Sequence, residues 1–225
     1  MTKNRGRFSY PRRSLMLATL TAPLTLAVSM AHAQELQQGR DFNVINPPQP
    51  TDIRGKIEVI EFFWYGCNHC HALEGPLEAW RKKLPSDVAF RRVPAVFNEG
   101  WAVAARVFYT IEAMGQFDKL HTPLFDAIHK GNMRINNEGA VEDWLLSRGV
   151  DVAEYRKQSR SFVVDGRVRR ATQMTEAYKF DAVPTLVVNC RYATISAGPD
   201  LLLRRVDGLI ERARRDPSSN VSSKK

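Results

Sequence analysis

The run Lys56–Trp64, KIEVIEFFW, leads through Tyr65 and Gly66 into a cysteine pair, and it constrains the fold more than any other segment. Its β-branched and aromatic residues are too continuous for a strand with one wet face. Such a strand belongs at the centre of a sheet covered on both sides. Gly66 breaks it immediately before Cys67-Asn68-His69-Cys70. From Asn68 onward, Leu73, Leu77, Trp80 and Leu84 recur at spacings of four, three and four. That spacing predicts one face of a helix that begins at or just after Cys67 and stops before Pro85. Pro76 lies inside it, where a proline removes one backbone bond and should kink the helix.

The remaining elements follow from period and punctuation. Residues 34 to 52 are polar, carry Pro47, Pro48 and Pro50, and read as an extended lead-in. Val88–Val96 reads as a second strand. Between Asn98 and Lys179 the pattern is helical: Trp101–Met114 stops at Gly115, Phe117–Lys130 at Gly131 and Glu138–Arg148 at Gly149. Two further helical stretches lie between Asp151 and Lys179. A glycine just past a helix supplies the left-handed stop. Strand character returns at Thr185–Val188 and around Tyr192–Ile195, with Asn189-Cys190 between them as a two-residue hairpin turn. Gly198-Pro199-Asp200 opens a last helix with an apolar stripe along Leu202, Val206, Leu209 or Ile210, and Ala213. This order describes an α/β domain interrupted by an all-helical insertion.

The first 33 residues are read apart from the fold. They carry Lys3, Arg5, Arg7, Arg12 and Arg13, then an apolar run from Leu15 to Met30 and the small-residue site Ala31-His32-Ala33. This is the pattern of a secretory signal peptide cleaved after Ala33. The alternative is an uncleaved anchor, but the run is short for a span and contains Pro23. Arg12-Arg13 matches a twin-arginine address only loosely. The expected organisation is a signal peptide at 1–33, a first part of the α/β domain at 34–98, the helical insertion at 99–179, the second part at 180–216 and a disordered tail at 217–225. Removing the five signal-peptide charges lowers the formal net charge from +9 to +4. No nucleic-acid-binding motif accompanies that charge, which reads as a solvated surface.

The chain has three cysteines, an odd number that excludes a fully paired framework within a monomer. Redox work at Cys67 requires a stabilised thiolate. A cysteine where a strand hands over to a helix meets free N–H groups and the positive end of the helix dipole. His69 adds a possible donor or charge. Cys70, one turn further in, suits the resolving role. With His71 the motif is also CxxCH, a c-type haem attachment pattern, for which Met114, Met133 or Met174 would supply the second ligand. A structural zinc on Cys67 and Cys70 with His69 or His71 is a third reading, but no second CxxC or HxxxH completes a tetrahedral set. His121 and His129 lie in the helical insertion and read as surface or packing residues.

The segments EFFWYGCNHC and AVPTLVVN, with the helical insertion between them, resemble the DsbA family of periplasmic thiol:disulfide oxidases within the thioredoxin superfamily. The likeness covers most of the chain beyond the signal peptide. It implies a thioredoxin fold with an inserted all-helical domain, whose redox group is the Cys67–Cys70 disulfide with no bound cofactor and no metal. Cys67 would be the nucleophile, Cys70 its partner, and Asn68 and His69 the dipeptide that tunes them. Val183-Pro184 would be a cis-proline loop that holds substrate backbone, aided by apolar surface around Trp64 and Tyr65. Glu61, Glu74 and Arg92 match positions that manage protons near Cys70. The resemblance further implies a monomer that oxidises folding exported proteins and is itself reoxidised by a DsbB-like quinone-linked membrane partner. A disulfide isomerase or a reductant is the alternative on the same fold, but residues 34–52 are too short for an isomerase's dimerisation domain, and the signal peptide argues against a cytosolic reductant. Two departures stand out. Asn68 replaces the proline of familiar members, and Cys190 occupies a turn where Asn-Gly is expected, so that turn should be strained or of another type. Cys190 itself reads as a free, exposed thiol or as half of an intermolecular disulfide.

Overall fold

The computed structural model describes residues 1–2 and 35–216, so the apolar run and cleavage site of the signal peptide and the tail from residue 217 lie outside the described residues. Among those described, the strands are β1 (Phe42–Val44), β2 (Ile57–Phe63), β3 (Val88–Pro94), β4 (Thr185–Val188) and β5 (Tyr192–Thr194). The helices are α1 (Asn68–Arg81), α2 (Glu99–Ala113), α3 (Phe117–His129), α4 (Glu138–Ser147), α5 (Val152–Ser159), α6 (Phe162–Tyr178) and α7 (Pro199–Arg215). The strands form one sheet in the order β1-β5-β4-β2-β3. Only the β2–β3 pair is parallel. All five helices from α2 to α6 fall between β3 and β4, as the glycine-punctuated pattern predicts.

The central strand separates two cores, as its two-sided apolar sequence requires. Val59 faces Leu73 and Leu77 of α1 and Leu202, Val206 and Leu209 of α7. Ile60 and Phe62 face the opposite way, into a larger cluster with Phe108, Leu124, Val164 and Tyr178 from the inserted helices. The alternation of successive side chains across the sheet produces this split. It also sends two carboxylates of β2 to opposite faces, and both are buried: Glu58 is 0% and Glu61 1% exposed.

Several expectations need correction. The lead-in contains β1, whose three residues pair with β5 and are anchored where Arg205 of α7 donates to Asp41 at 2.9 Å and to the Ile195 carbonyl at 2.8 Å. α1 ends at Arg81, so Leu84 packs from the following turn, and the helix is continuous through Pro76. Gly115 and Gly149 are left-handed stops, but after α3 that conformation belongs to Asn132. Gly131 is required for space instead, because a Cβ there would lie 2.7 Å from the Ala127 carbonyl oxygen. At the β4–β5 turn the Arg191 N–H donates to the Val188 carbonyl across Asn189 and Cys190, both at φ 53°. The strained form of the turn is therefore the one adopted. Cys190 is 1% exposed and neither accessible nor placed for an intermolecular bond, because its thiol turns inward to the Glu58 carboxylate at 3.2 Å.

Candidate active site

Cys67 is the N-cap of α1. Its backbone is extended, and its Sγ accepts from the Cys70 N–H at 3.4 Å, as a side chain does when it caps unpaired helix donors. The turn Trp64–Cys67, closed by a 3.0 Å bond from the Cys67 N–H to the Trp64 carbonyl, swings the chain from β2 onto the helix end. Gly66 leaves room in this turn for the Trp64 ring, which folds over it, 2.4 Å from where a Cβ would lie, and stacks on Trp101 with centroids 4.2 Å apart.

The two cysteines occupy opposite environments. The Cys67 thiol is half-exposed and its pKa is lowered to about 6, chiefly by the hydrogen bond from the Cys70 side chain. The N–H groups of Cys70 and His69 and the His69 imidazole add to that effect, and burial opposes it. Cys70 is 0% exposed, and burial pushes its thiol far above the ordinary range, helped by the neighbouring Cys67 sulfur and by Glu61. Both thiols are free. On the open side the Val183–Pro184 peptide is cis, and the Cys67 Sγ lies 3.4 Å from the Val183 carbonyl. A groove of about 160 Å³ runs beside it between His69, Leu73, Pro184, Ala197 and Leu202.

Behind Cys70 lies a buried polar chain. Glu61 and Arg92 sit directly opposite in the β2–β3 register, with Arg92 Nε 3.0 Å from Glu61 Oε2. Arg92 also donates to Glu74 at 3.2 Å and to the more exposed Glu78 at 2.8 Å. Beyond Glu74 come His121, whose Nε2 is 3.4 Å from Glu74, and Tyr65, which shares a 2.7 Å hydrogen bond with His121 Nδ1. Burial raises the Glu61 carboxyl to about 8, overriding the opposing Arg92 charge, so it holds a proton near neutral pH. Glu74 is lowered, because His121 and Arg92 together outweigh its burial.

A thiol at a helix end with a low pKa, a buried partner and a cis-proline carbonyl beside it is a centre for thiol–disulfide exchange. Residues 58–206 match the sequence model of the DSBA-like thioredoxin domain. The chain is 37% identical over 205 residues to the thiol:disulfide interchange protein DsbA of Pseudomonas aeruginosa, covering 90% of this chain and 97% of that one. It is 40% identical over 205 residues to the protein of the same name from Bordetella parapertussis, covering 89% and 96%. The fold superposes on the crystal structure of Pseudomonas aeruginosa DsbA with a TM-score of 0.76 at 37% identity, covering 80% of this chain and 95% of that one. For the oxidoreductase DsbA from Xylella fastidiosa the TM-score is 0.76 at 31% identity, with 80% and 99% covered. The chain belongs to the DSBA-like thioredoxin family. It is a thiol:disulfide oxidoreductase of the DsbA type.

In this DsbA-like chain the residues picked out by sequence do not all meet at one surface. Cys67, Cys70, Asn68, His69, Val183 and Pro184 converge on the N-terminal end of α1, and the partly buried Trp64 ring lies over Gly66 against Trp101. Tyr65 does not, being 0% exposed. It packs inward because successive residues leaving β2 point to opposite sides, so its expected contact with substrate is withdrawn. Glu61, Glu74 and Arg92 form one network on the buried side. His121 and His129 are more than packing residues, since each bonds to Tyr65. Their signal in the sequence was the eight-residue spacing that aligns them on one face of α3. Among the described residues no three His, Cys, Asp or Glu side chains group as a metal site.

Proposed function

We propose that the protein is a periplasmic disulfide oxidase that passes its Cys67–Cys70 disulfide to exported proteins as they fold. The observation that carries this reading is the opposition between two cysteines of one motif: Cys67 caps the end of α1 with solvent access, which favours its thiolate, and Cys70 is 0% exposed one turn inside, where burial pushes its thiol far up. A client thiolate attacks Cys67, the only sulfur of the pair with solvent access. The Cys67–Cys70 bond breaks, its electron pair stays on Cys70, and Cys70 takes up a proton because its buried site disfavours a thiolate. Glu61, protonated near neutral pH, is the nearby source, and Arg92, Glu74 and Glu78 lead from it toward solvent. A second client thiolate then attacks the client sulfur of the mixed disulfide. The client's disulfide forms and Cys67 departs as a thiolate. Two electrons have moved from client to protein, and the stability of the departing thiolate makes the transfer favourable.

The client backbone lies along the Val183-Pro184 loop, with its side chains against Trp64 and in the groove beside His69. Contacts of this kind give low sequence preference. Asn68, exposed in the dipeptide, and His69 tune the potential. The disulfide is the whole redox group, the monomer is the working unit, and a DsbB-like quinone-linked membrane protein restores the oxidised form after a signal peptide at 1–33 has directed export. Equilibrium titration of the purified protein against glutathione redox buffers tests the reading. An oxidising two-electron transition with no haem absorbance is expected; a strongly reducing potential would overturn the oxidase assignment.

A further inference from the structure

Tyr65 is held at both of its polar ends by histidines of one helix. Its hydroxyl bonds His121 Nδ1 at 2.7 Å, and its carbonyl lies 2.7 Å from His129 Nε2. A carbonyl can only accept, so His129 is the donor and carries its proton on Nε2. The ring is set in place independently. It stacks on His71 with centroids 4.9 Å apart and planes 11° apart, and on Phe125 at 6.1 Å. His71, the residue after Cys70, donates in turn to Asp126 at 2.8 Å, one turn back on α3. The contact falls on the peptide joining Tyr65 to Gly66. Gly66 has no side chain to anchor that peptide and no room for one.

We propose that His129, on a helix of the insertion, is a positioning residue for Cys67: by donating to the Tyr65 carbonyl it holds the turn that aims the thiol at the end of α1. The proposal rests on the redox reading of the same site and adds a source of its poise that lies outside the CNHC motif and outside the thioredoxin-like part of the chain. The thiolate is stabilised by N–H groups at the helix end, the Cys70 N–H at 3.4 Å among them, and such bonds weaken as their alignment with the acceptor is lost. A loosened Trp64–Cys67 turn weakens that alignment without removing any group that touches sulfur. His129 is only partly buried, so its replacement leaves the core intact.

The test compares His129→Leu, which removes the donor, with His129→Gln, which keeps an N–H of similar reach. Two quantities are read on each: the midpoint of Cys67 thiolate formation by ultraviolet absorbance, and the equilibrium constant with glutathione. His129→Leu should raise the midpoint and make the disulfide less oxidising by about three- to tenfold in that constant, the effect of one lost hydrogen bond. His129→Gln should restore most of both. A His129→Leu protein that is folded and less heat-stable, yet unchanged in both redox readouts, would reduce His129 to a structural residue and overturn the proposal. Should His129→Leu not fold, nitrogen NMR of the parent protein decides. An Nε2–H tautomer whose shift responds to reduction of the disulfide supports the proposal, and an Nδ1–H tautomer ends it. A reducing potential in the parent protein would sink the oxidase reading while leaving the comparison among variants valid, so the two failures are distinguishable.

Discussion

A few ångströms decide the chemistry of each cysteine. Cys67, Cys70 and Cys190 share one side chain and three fates: the first caps a helix, the second lies one turn inside it, and the third is turned into the core by a strained hairpin. Cys190 shows why a thiol fits that position. Its Sγ joins the Thr51 hydroxyl, at 2.8 Å, and Arg91 in satisfying Glu58, a carboxylate buried inside the central strand. Burial raises the Cys190 thiol to about 12, with Glu58 adding to it against the Tyr178 hydroxyl. A buried neutral thiol is inert. Brief alkylation of the reduced, folded protein at pH 7 should therefore label one cysteine, Cys67, as read by peptide mass spectrometry. Labelling of Cys190 at a comparable rate would contradict the burial on which this account depends.

At the scale of elements, the site is the junction of β2 and α1, and most of that junction is legible in the sequence. The β-branched and aromatic run, interrupted only by Glu58 and Glu61, marks β2 as central, Gly66 marks the turn, and the four-three-four spacing marks α1. Three things were not legible, each for a physical reason. β1 is three residues long, too short for an alternation to appear, and it is held by Asp41–Arg205, a contact 164 positions apart in the chain. The inward direction of Tyr65 continues the side-to-side alternation of β2, but it shows only once the strand's end at Phe63 and the covering helix α3 are known. The burial of the Cys190 thiol behind its strained turn depends on Glu58, a carboxylate 132 positions away in the chain that binds it. The turn itself gives an expected outcome: Gly66→Ala places a methyl group 2.4 Å from the Trp64 ring and must shift that ring against Trp101. The cost should be about 1–3 kcal/mol by denaturant unfolding, in the usual range for overpacking. A fully stable variant would mean that the turn is not held by this contact.

For the whole molecule, the helical insertion reaches the redox site through α3. α3 supplies His121 to the buried network and His129 to the active-site turn, while α1 and the cis-proline loop come from the thioredoxin-like part. The central claim is that folding stabilises the Cys67 thiolate, and it has a thermodynamic consequence with a definite sign. An acid whose pKa is lowered on folding, here from 9.0 to about 6, adds stability that is fully present above the unfolded value and is lost as pH falls through the folded one. Only the reduced protein has that thiolate. The decisive measurement is the unfolding free energy of the reduced and the oxidised protein, side by side, from pH 5 to pH 9. The reduced form should gain on the oxidised form across the interval between about 6 and 9 and be the more stable of the two at pH 7. A difference that stays flat across that interval, or an oxidised form that is the more stable at pH 7, would contradict the account.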